Sequence, residues 1–371
     1  MKKTYATSSS PANSNRMPSV IPIFDGHNDV LLRLFNKRIP DVERAFLEGE
    51  DDGQIDLPRA IRGGFLGGLF AIFISSAKDQ IGDIEELMHG ENYDLPLPPL
   101  ISTEEALPSA MAMAAILLRI ERGAGGRLKV CRSAQDIRSC LARDVIAAVM
   151  HMEGAEPIDG DLNALDVLYE AGLRSIGLVW SRPNIFGHGV PFRFPSGPDT
   201  GPGLTELGKN LVKACNERRI LIDLSHLNAQ GFWDVAGLST APLVATHSNA
   251  HAICPHARNL TDSQLAAIRD SGGMIGINFA ACMLRPDGQV DTNTGLDTLV
   301  RHLDHLIQQV GIDCVGFGSD FDGATVPHAI GDVSGLGKLR DALHRRGFSD
   351  EVLRKLCHEN WISVLERTWG G

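Results

Sequence analysis

A chain of 371 residues with 43% apolar and 22% charged side chains can bury a large core and has the composition of an ordinary globular protein. Its 46 acidic against 35 basic side chains leave a net charge of −11, which argues against a nucleic-acid partner recognised through basic surface. No apolar run approaches the roughly 18 residues of a membrane span, and seven scattered cysteines without zinc-ribbon spacing read as buried thiols of a reducing compartment.

In chain order, residues 1–19 are polar, lack the apolar stretch of a signal peptide and read as a flexible leader; a cytoplasmic protein is expected. From residue 20 to 371 the chain reads as one domain in which short apolar runs recur: 21–27, 67–76, 144–153, 173–180, 219–226, 241–248, 272–279 and 313–320. Their length and Val, Ile and Leu content suit strands of a parallel sheet buried on both faces. Between them lie helical patterns. "TEEALPSAMAMAAILLRIERG" opens on Thr103 as a cap with acidic residues in its first turn, and "TELGKNLVKACNER" and "GLDTLVRHLDHLIQQVG" carry apolar residues at three- and four-residue spacing. Eight strands alternating with helices predict an α/β fold, a (β/α)8 TIM-like barrel of the metal-dependent hydrolase type. A doubly wound sheet is the alternative, but no GxGxxG turn follows the first strand. Two stretches break the pattern. Residues 77–102 read as a βα insertion that partly folds as helix; residues 181–203, rich in Gly and Pro but carrying Phe186, Phe192 and Phe194, read as a packed wall or lid of the active site.

Residues able to ligate a metal stand at the ends of five of these runs. The first ends in His27 and Asp29, the third in Glu153, the fifth in His226, the sixth in His247 and the eighth in Asp320. In a barrel of parallel strands all C-terminal ends meet on one face, so six side chains able to ligate a metal converge at one mouth. His27 and Asp29, two apart, point the same way from an extended strand and can reach one ion. Glu153 has two oxygens and can bridge; His226 and His247 come from adjacent strands and suit a second ion. Imidazole and carboxylate without thiolate suit Zn2+ in an open catalytic site, and Mn2+, Fe2+ and Co2+ remain compatible. Such a pair of ions can hold a hydroxide that attacks an amide carbonyl at neutral pH, with Asp320 taking the proton and returning it to the leaving amine. Singly, each residue has a structural explanation: a strand histidine is often hydrogen-bonded core, Asp29 could cap the following helix, and "GSDFDG" could be a turn. His302 and His305 read as solvated on the outer face of a helix, His251 and His256 as supporting or surface residues, and His151 as lying one layer deeper than Glu153.

Taken together, "DGHNDV", "MEGAEPI", "IDLSHL", "ATHSNAHAI…HARNL" and "GFGSDFDG" resemble the membrane (renal) dipeptidase family of zinc metallopeptidases, in its soluble bacterial-type members, from about residue 20 to the closing "HENWISVLER" with Asn360. The resemblance implies a dinuclear zinc site bridged by Glu153 and a hydroxide, with His27 and Asp29 on one ion and His226 and His247 on the other. It implies that Asp320 is the catalytic carboxylate and that Arg258 pairs with the dipeptide's terminal carboxylate, a task suited to a two-pronged guanidinium. It further implies a homodimer without membrane anchor, acting on small dipeptides, including those with a D-residue at the C-terminal position. One departure stands out: Trp180 occupies the place of a substrate-binding histidine thought to steady the oxyanion. Trp180 can donate one hydrogen bond but carries no charge, so that task falls to zinc or to His188 or Arg182 of the following loop. An amidohydrolase for other small amides or N-acyl amino acids, and a non-catalytic metal- or ligand-binding barrel, are the alternatives.

Overall fold

The protein is described here from a computed structural model covering residues 20–76 and 84–370. The leader expected at 1–19 and the first part of the 77–102 insertion lie outside the described residues. Strand β1 (Ile23–Asn28) pairs in parallel with β2 (Phe65–Phe73) and β11 (Val315–Phe317), and the ring continues through β10 (Met274–Ile277), β9 (Val244–Ala245), β8 (Leu221–Asp223), β6 (Leu173–Gly177) and β5 (Ile146–Glu153), which closes back onto β2. These are the eight expected runs in the expected order, joined as a (β/α)8 barrel. Strand β4 (Leu128–Val130) is an added branch on β5. A separate antiparallel pair, β3 (Tyr93–Asp94) with β7 (Arg193–Phe194), ties the insertion to the loop after β6.

The strand period sorts the side chains. Along β5, Ile146, Ala148, Met150 and Met152 pack outward into the layer of helices, while Ala147 and Val149 join the inner cluster that includes Phe24, Leu69, Leu221, Val244 and Met274. The C-terminal helix Asn360–Trp369 closes the barrel from below. Trp361 donates from Nε1 to the Phe317 carbonyl at 2.9 Å, and a Cβ on Gly26 would stand 2.4 Å from its ring, so β1 must carry glycine there. Asn360 donates to the carbonyls of Ile312 and Val315, fixing this helix under β11.

Helix starts follow their caps, with one adjustment. The helix Thr103–Gly123 is capped by Ser102, not Thr103: Ser102 and Glu105 form a reciprocal capping box, while the Thr103 hydroxyl donates to Ile158 O. His302 also departs from expectation. It is buried, because its helix (Leu296–Val310) turns that face inward: its Nδ1 accepts from Ala250 N–H at 3.2 Å and its Nε2 lies 2.9 Å from Leu284 O. His305 is the more exposed of the two and pairs with Asp262.

Candidate active site

Several strands are shorter than their apolar runs because the residues at their ends leave the ladder. β8 stops at Asp223 and β9 at Ala245, and beyond them His226 adopts φ +67. Asp320, after β11, sits at φ +61. Non-glycine residues held in the left-handed region are strained and persist where the surroundings over-determine them, as at functional sites. In β1 the pairing with β2 shifts between Asp25 and Asn28, an irregularity of the kind that re-aims side chains.

These local departures bring the predicted residues together. His27 Nε2 lies 3.2 Å from Asp29 Oδ2 and 3.6 Å from Glu153 Oε2. The other Glu153 oxygen, Oε1, lies 3.0 Å from His226 Nε2 and 3.4 Å from His247 Nε2, and these two nitrogens are 3.1 Å apart. Asp320 joins His27 and Asp29 with ligand atoms within 4.8 Å of one another. Asp29 flanks the helix Val30–Lys37 but makes no side-chain cap, and its Oδ1 is buried without a hydrogen-bond partner. The capping alternative for Asp29 therefore does not hold.

Behind this layer stands a buried polar shell. Thr246 Oγ1 donates to Asp223 Oδ2 at 2.6 Å, so its one proton is committed and it can only accept from His247 Nδ1, 2.8 Å away. His247 is thereby set with a proton on Nδ1 and a bare Nε2 facing Glu153. His226 Nδ1 meets Ser181 Oγ at 2.8 Å. Asp25 accepts from the backbone and hydroxyl of Ser319, next to Asp320, and Asn278 donates to Asp320 Oδ2 at 2.9 Å. His151 lies one layer down, as its place in β5 implied, 2.9 Å from Ser175 Oγ and 3.7 Å from Asp223.

The electrostatics follow from this crowding. Burial pushes the Glu153 carboxyl well above its usual range and raises Asp320, in both cases against the pull of His27. Burial opposes charge on His27 too, but the adjacent Glu153 and Asp29 carboxylates prevail and keep it protonated up to about 10. Burial drives the His226 and His247 imidazoles well below their ordinary value. Neutral imidazoles, one with a bare nitrogen fixed by its shell, facing clustered buried carboxylates make a donor set that matches divalent cations.

The cavity above this floor holds about 160 Å3 and is lined by Asp29, Glu153, His226 and Asp320 below and by Phe73, Trp180, Phe192 and Met88 on its walls. Trp180 packs its ring against Phe73, Phe192 and His226 at centroid distances of 5.0, 5.7 and 5.7 Å. Arg258 is buried; Nη2 donates to His247 O, Nη1 contacts Ser248 Oγ at 3.4 Å, and Nε has no partner. His188 and Arg182 are not brought to the cavity. His188 turns toward Gly203 O, and the Arg182 guanidinium is engaged by Glu156, Ser76 and the Ile74 carbonyl. The loop's path decides this: Val190 N–H bonds His226 O and Thr205 N–H bonds Phe186 O, so the segment folds over β8 with its aromatic residues inward. Sequence reasoning missed Asp25, Asp223, Thr246 and Asn278. The first three stand within three residues of the selected histidines in otherwise apolar runs, and that was the available signal.

A profile of the family described as Membrane dipeptidase (Peptidase family M19) matches residues 12–369. A crystal structure of a metallopeptidase from Rhodobacter sphaeroides, liganded with a phosphinate mimic of the dipeptide L-Ala-D-Ala, superposes with a TM-score of 0.91 at 56% identity, covering 94% of this chain and 99% of that one. A dipeptidase AC of family M19 superposes at 0.92 with 55% identity and the same coverage. Among curated sequences, an uncharacterised protein from the pqqA 5′ region of Klebsiella pneumoniae is 51% identical over 69% of this chain and 94% of its own length.

Proposed function

The chain belongs to the membrane dipeptidase family, peptidase family M19, and from that premise we propose that it is a zinc-dependent dipeptidase that hydrolyses small dipeptides, including those with a D-residue at the C-terminal position. The observation that carries this reading is the split use of Glu153, one oxygen toward His27 and the other toward His226 and His247. His27, Asp29 and Glu153 would hold one zinc ion, and Glu153, His226 and His247 a second. When bound, such cations acidify a water and polarise a carbonyl. The likeness to the protein liganded with an L-Ala-D-Ala mimic supports the choice of substrate.

The chain's own residues supply the rest. Asp320, which lines the cavity, is the general base and then the general acid: burial raises its carboxyl above the usual range, and Asn278 donates to Oδ2 and holds the group in place. Arg258 binds the substrate's terminal carboxylate, its guanidinium steadied by His247 O and Ser248. Trp180 shapes the wall beside His226; with Arg182 and His188 turned elsewhere, the charge that steadies an oxyanion would come from cations held by the ligand cluster. A cavity of about 160 Å3 supports a substrate as small as a dipeptide. Seven unbridged cysteines support the cytoplasm as its compartment, no helix among the described residues is long and apolar enough to cross a membrane, and a homodimer is the assembly proposed with the family resemblance.

Metal analysis with turnover of L-Ala-D-Ala tests this reading. About two zinc ions per chain, and activity lost on chelation and restored by zinc, are expected; a protein that binds no zinc, or that hydrolyses dipeptides equally after complete chelation, overturns it.

A further inference from the structure

A second apolar cavity, of about 190 Å3, adjoins the one above the metal-ligand cluster, and the two share Ile84 and Phe192 in their walls. Leu95, Leu97 and Pro191 also line it, and Ser181 is its one polar residue among the described residues. Phe192 is half-buried, with its ring 5.7 Å from Trp180, 6.4 Å from His226 and 6.2 Å from His256. Its backbone is anchored: Phe192 O accepts from Leu95 N–H at 3.0 Å and the neighbouring Arg193 O accepts from Ala257 N–H at 3.0 Å. The second bond ties the segment bearing Phe192 to the one bearing Arg258. The shared wall therefore stands beside the segment that carries Arg258, the residue proposed above to bind the substrate's terminal carboxylate, and among the described residues Phe192 and Ile84 line both spaces.

We propose that Phe192 is the partition that sets the size of the substrate's C-terminal side chain, and that the cavity behind it is an apolar extension of that subsite, shaped for an aromatic or branched aliphatic group. The inference rests on the dipeptidase reading above. Phe192 and Ile84 present apolar side chains to both spaces and the lining behind them is largely apolar, so a larger apolar side chain that enters the room left by the ring gains buried surface there. The rigid backbone means that the limit is set by the side chain, not by movement of the loop.

The test compares kcat/KM for L-Ala-D-Ala and L-Ala-D-Phe in the zinc-loaded wild-type protein and in Phe192→Ala, with Phe192→Leu as a variant that keeps apolar packing. A discrimination of about 10-fold or more is reachable from apolar contacts alone, so the Phe-to-Ala substrate ratio is expected to rise at least about 10-fold in Phe192→Ala and by less in Phe192→Leu. A ratio within about twofold of wild type in both variants overturns the proposal. If the wild-type protein hydrolyses neither dipeptide, the dipeptidase reading fails, and the partition is judged separately in benzene-soaked crystals. Benzene spanning the joined cavity in Phe192→Ala but absent there in wild type upholds the partition; the same occupancy in both proteins refutes it.

Discussion

Replacing Thr246 by valine keeps the shape of the side chain and deletes the hydroxyl that sets His247. In the folded protein this oxygen accepts from His247 Nδ1 at 2.8 Å and donates to Asp223 Oδ2 at 2.6 Å, while Asp223 Oδ1 separately accepts from Thr246 N–H and Ser225 N–H. Valine retains the backbone bond to Asp223 Oδ1; what is lost is the hydroxyl donor to Asp223 Oδ2 and the acceptor for a fully buried ring N–H. Leaving such a donor unpaired costs about 1–3 kcal/mol. The ring can escape that penalty by moving its proton to Nε2, but the nitrogen facing Glu153 then ceases to be a ligand. Either route weakens metal binding at the His226–His247 position by a comparable amount, roughly 10- to 100-fold, the range seen when a supporting partner of a ligating histidine is removed. Competitive zinc titration against a chromophoric chelator resolves the two sites. Thr246→Val should weaken one zinc strongly and leave the other nearly as in wild type, and Thr246→Ser should restore both. Two unchanged affinities in Thr246→Val would refute the tautomer argument.

Other consequences follow from the same geometry. Asp320→Asn keeps the bond to Asn278 within reach but removes the proton acceptor; turnover of L-Ala-D-Ala should fall about 10²- to 10⁴-fold with zinc content unchanged, and wild-type turnover would remove Asp320 from the mechanism. Gly323→Ala would set a Cβ 2.1 Å from Asp29 Oδ2 and 2.6 Å from Asp320 Oδ1, so both carboxylates must move; activity should drop at least about 10-fold with the circular dichroism spectrum intact, and full activity would show that the carboxylates tolerate displacement. Burial holds His256 down to about 3 and His302 to about 4, below the value of 6.5 that each regains on unfolding. The unfolded chain therefore binds more protons as pH falls below 6.5, and stability declines by up to ~1.4 kcal/mol per pH unit for each histidine. Because the buried carboxyls raised on folding act with the opposite sign, the rings are followed directly: the imidazole 15N shifts of His256 and His302 should stay at neutral-form values from pH 7.5 down to about 5, and a ring that titrates near 6.5 would contradict its neutral, buried state.

The barrel and the gathering of polar side chains at its mouth were legible in the sequence because both depend on short-range order. An apolar run of seven to ten residues marks each of these strands, and parallel strands joined by helices bring every C-terminal end to one face, so the polar residues that end five of the eight runs locate the mouth without knowledge of which strands touch. His27, Asp29, Glu153, His226, His247 and Asp320 needed nothing more to be selected. Their supports were a different matter. That Thr246 commits its proton to Asp223, that Asn278 steadies Asp320, that His302 faces inward, and that Arg182 and His188 are drawn away from the cavity while Phe192 divides it from its neighbour are all outcomes of contacts between segments far apart in the chain. A side chain's hydrogen-bond partner is set by register, helix rotation and loop path, and those are fixed only when the whole core packs; the tertiary structure alone decides them.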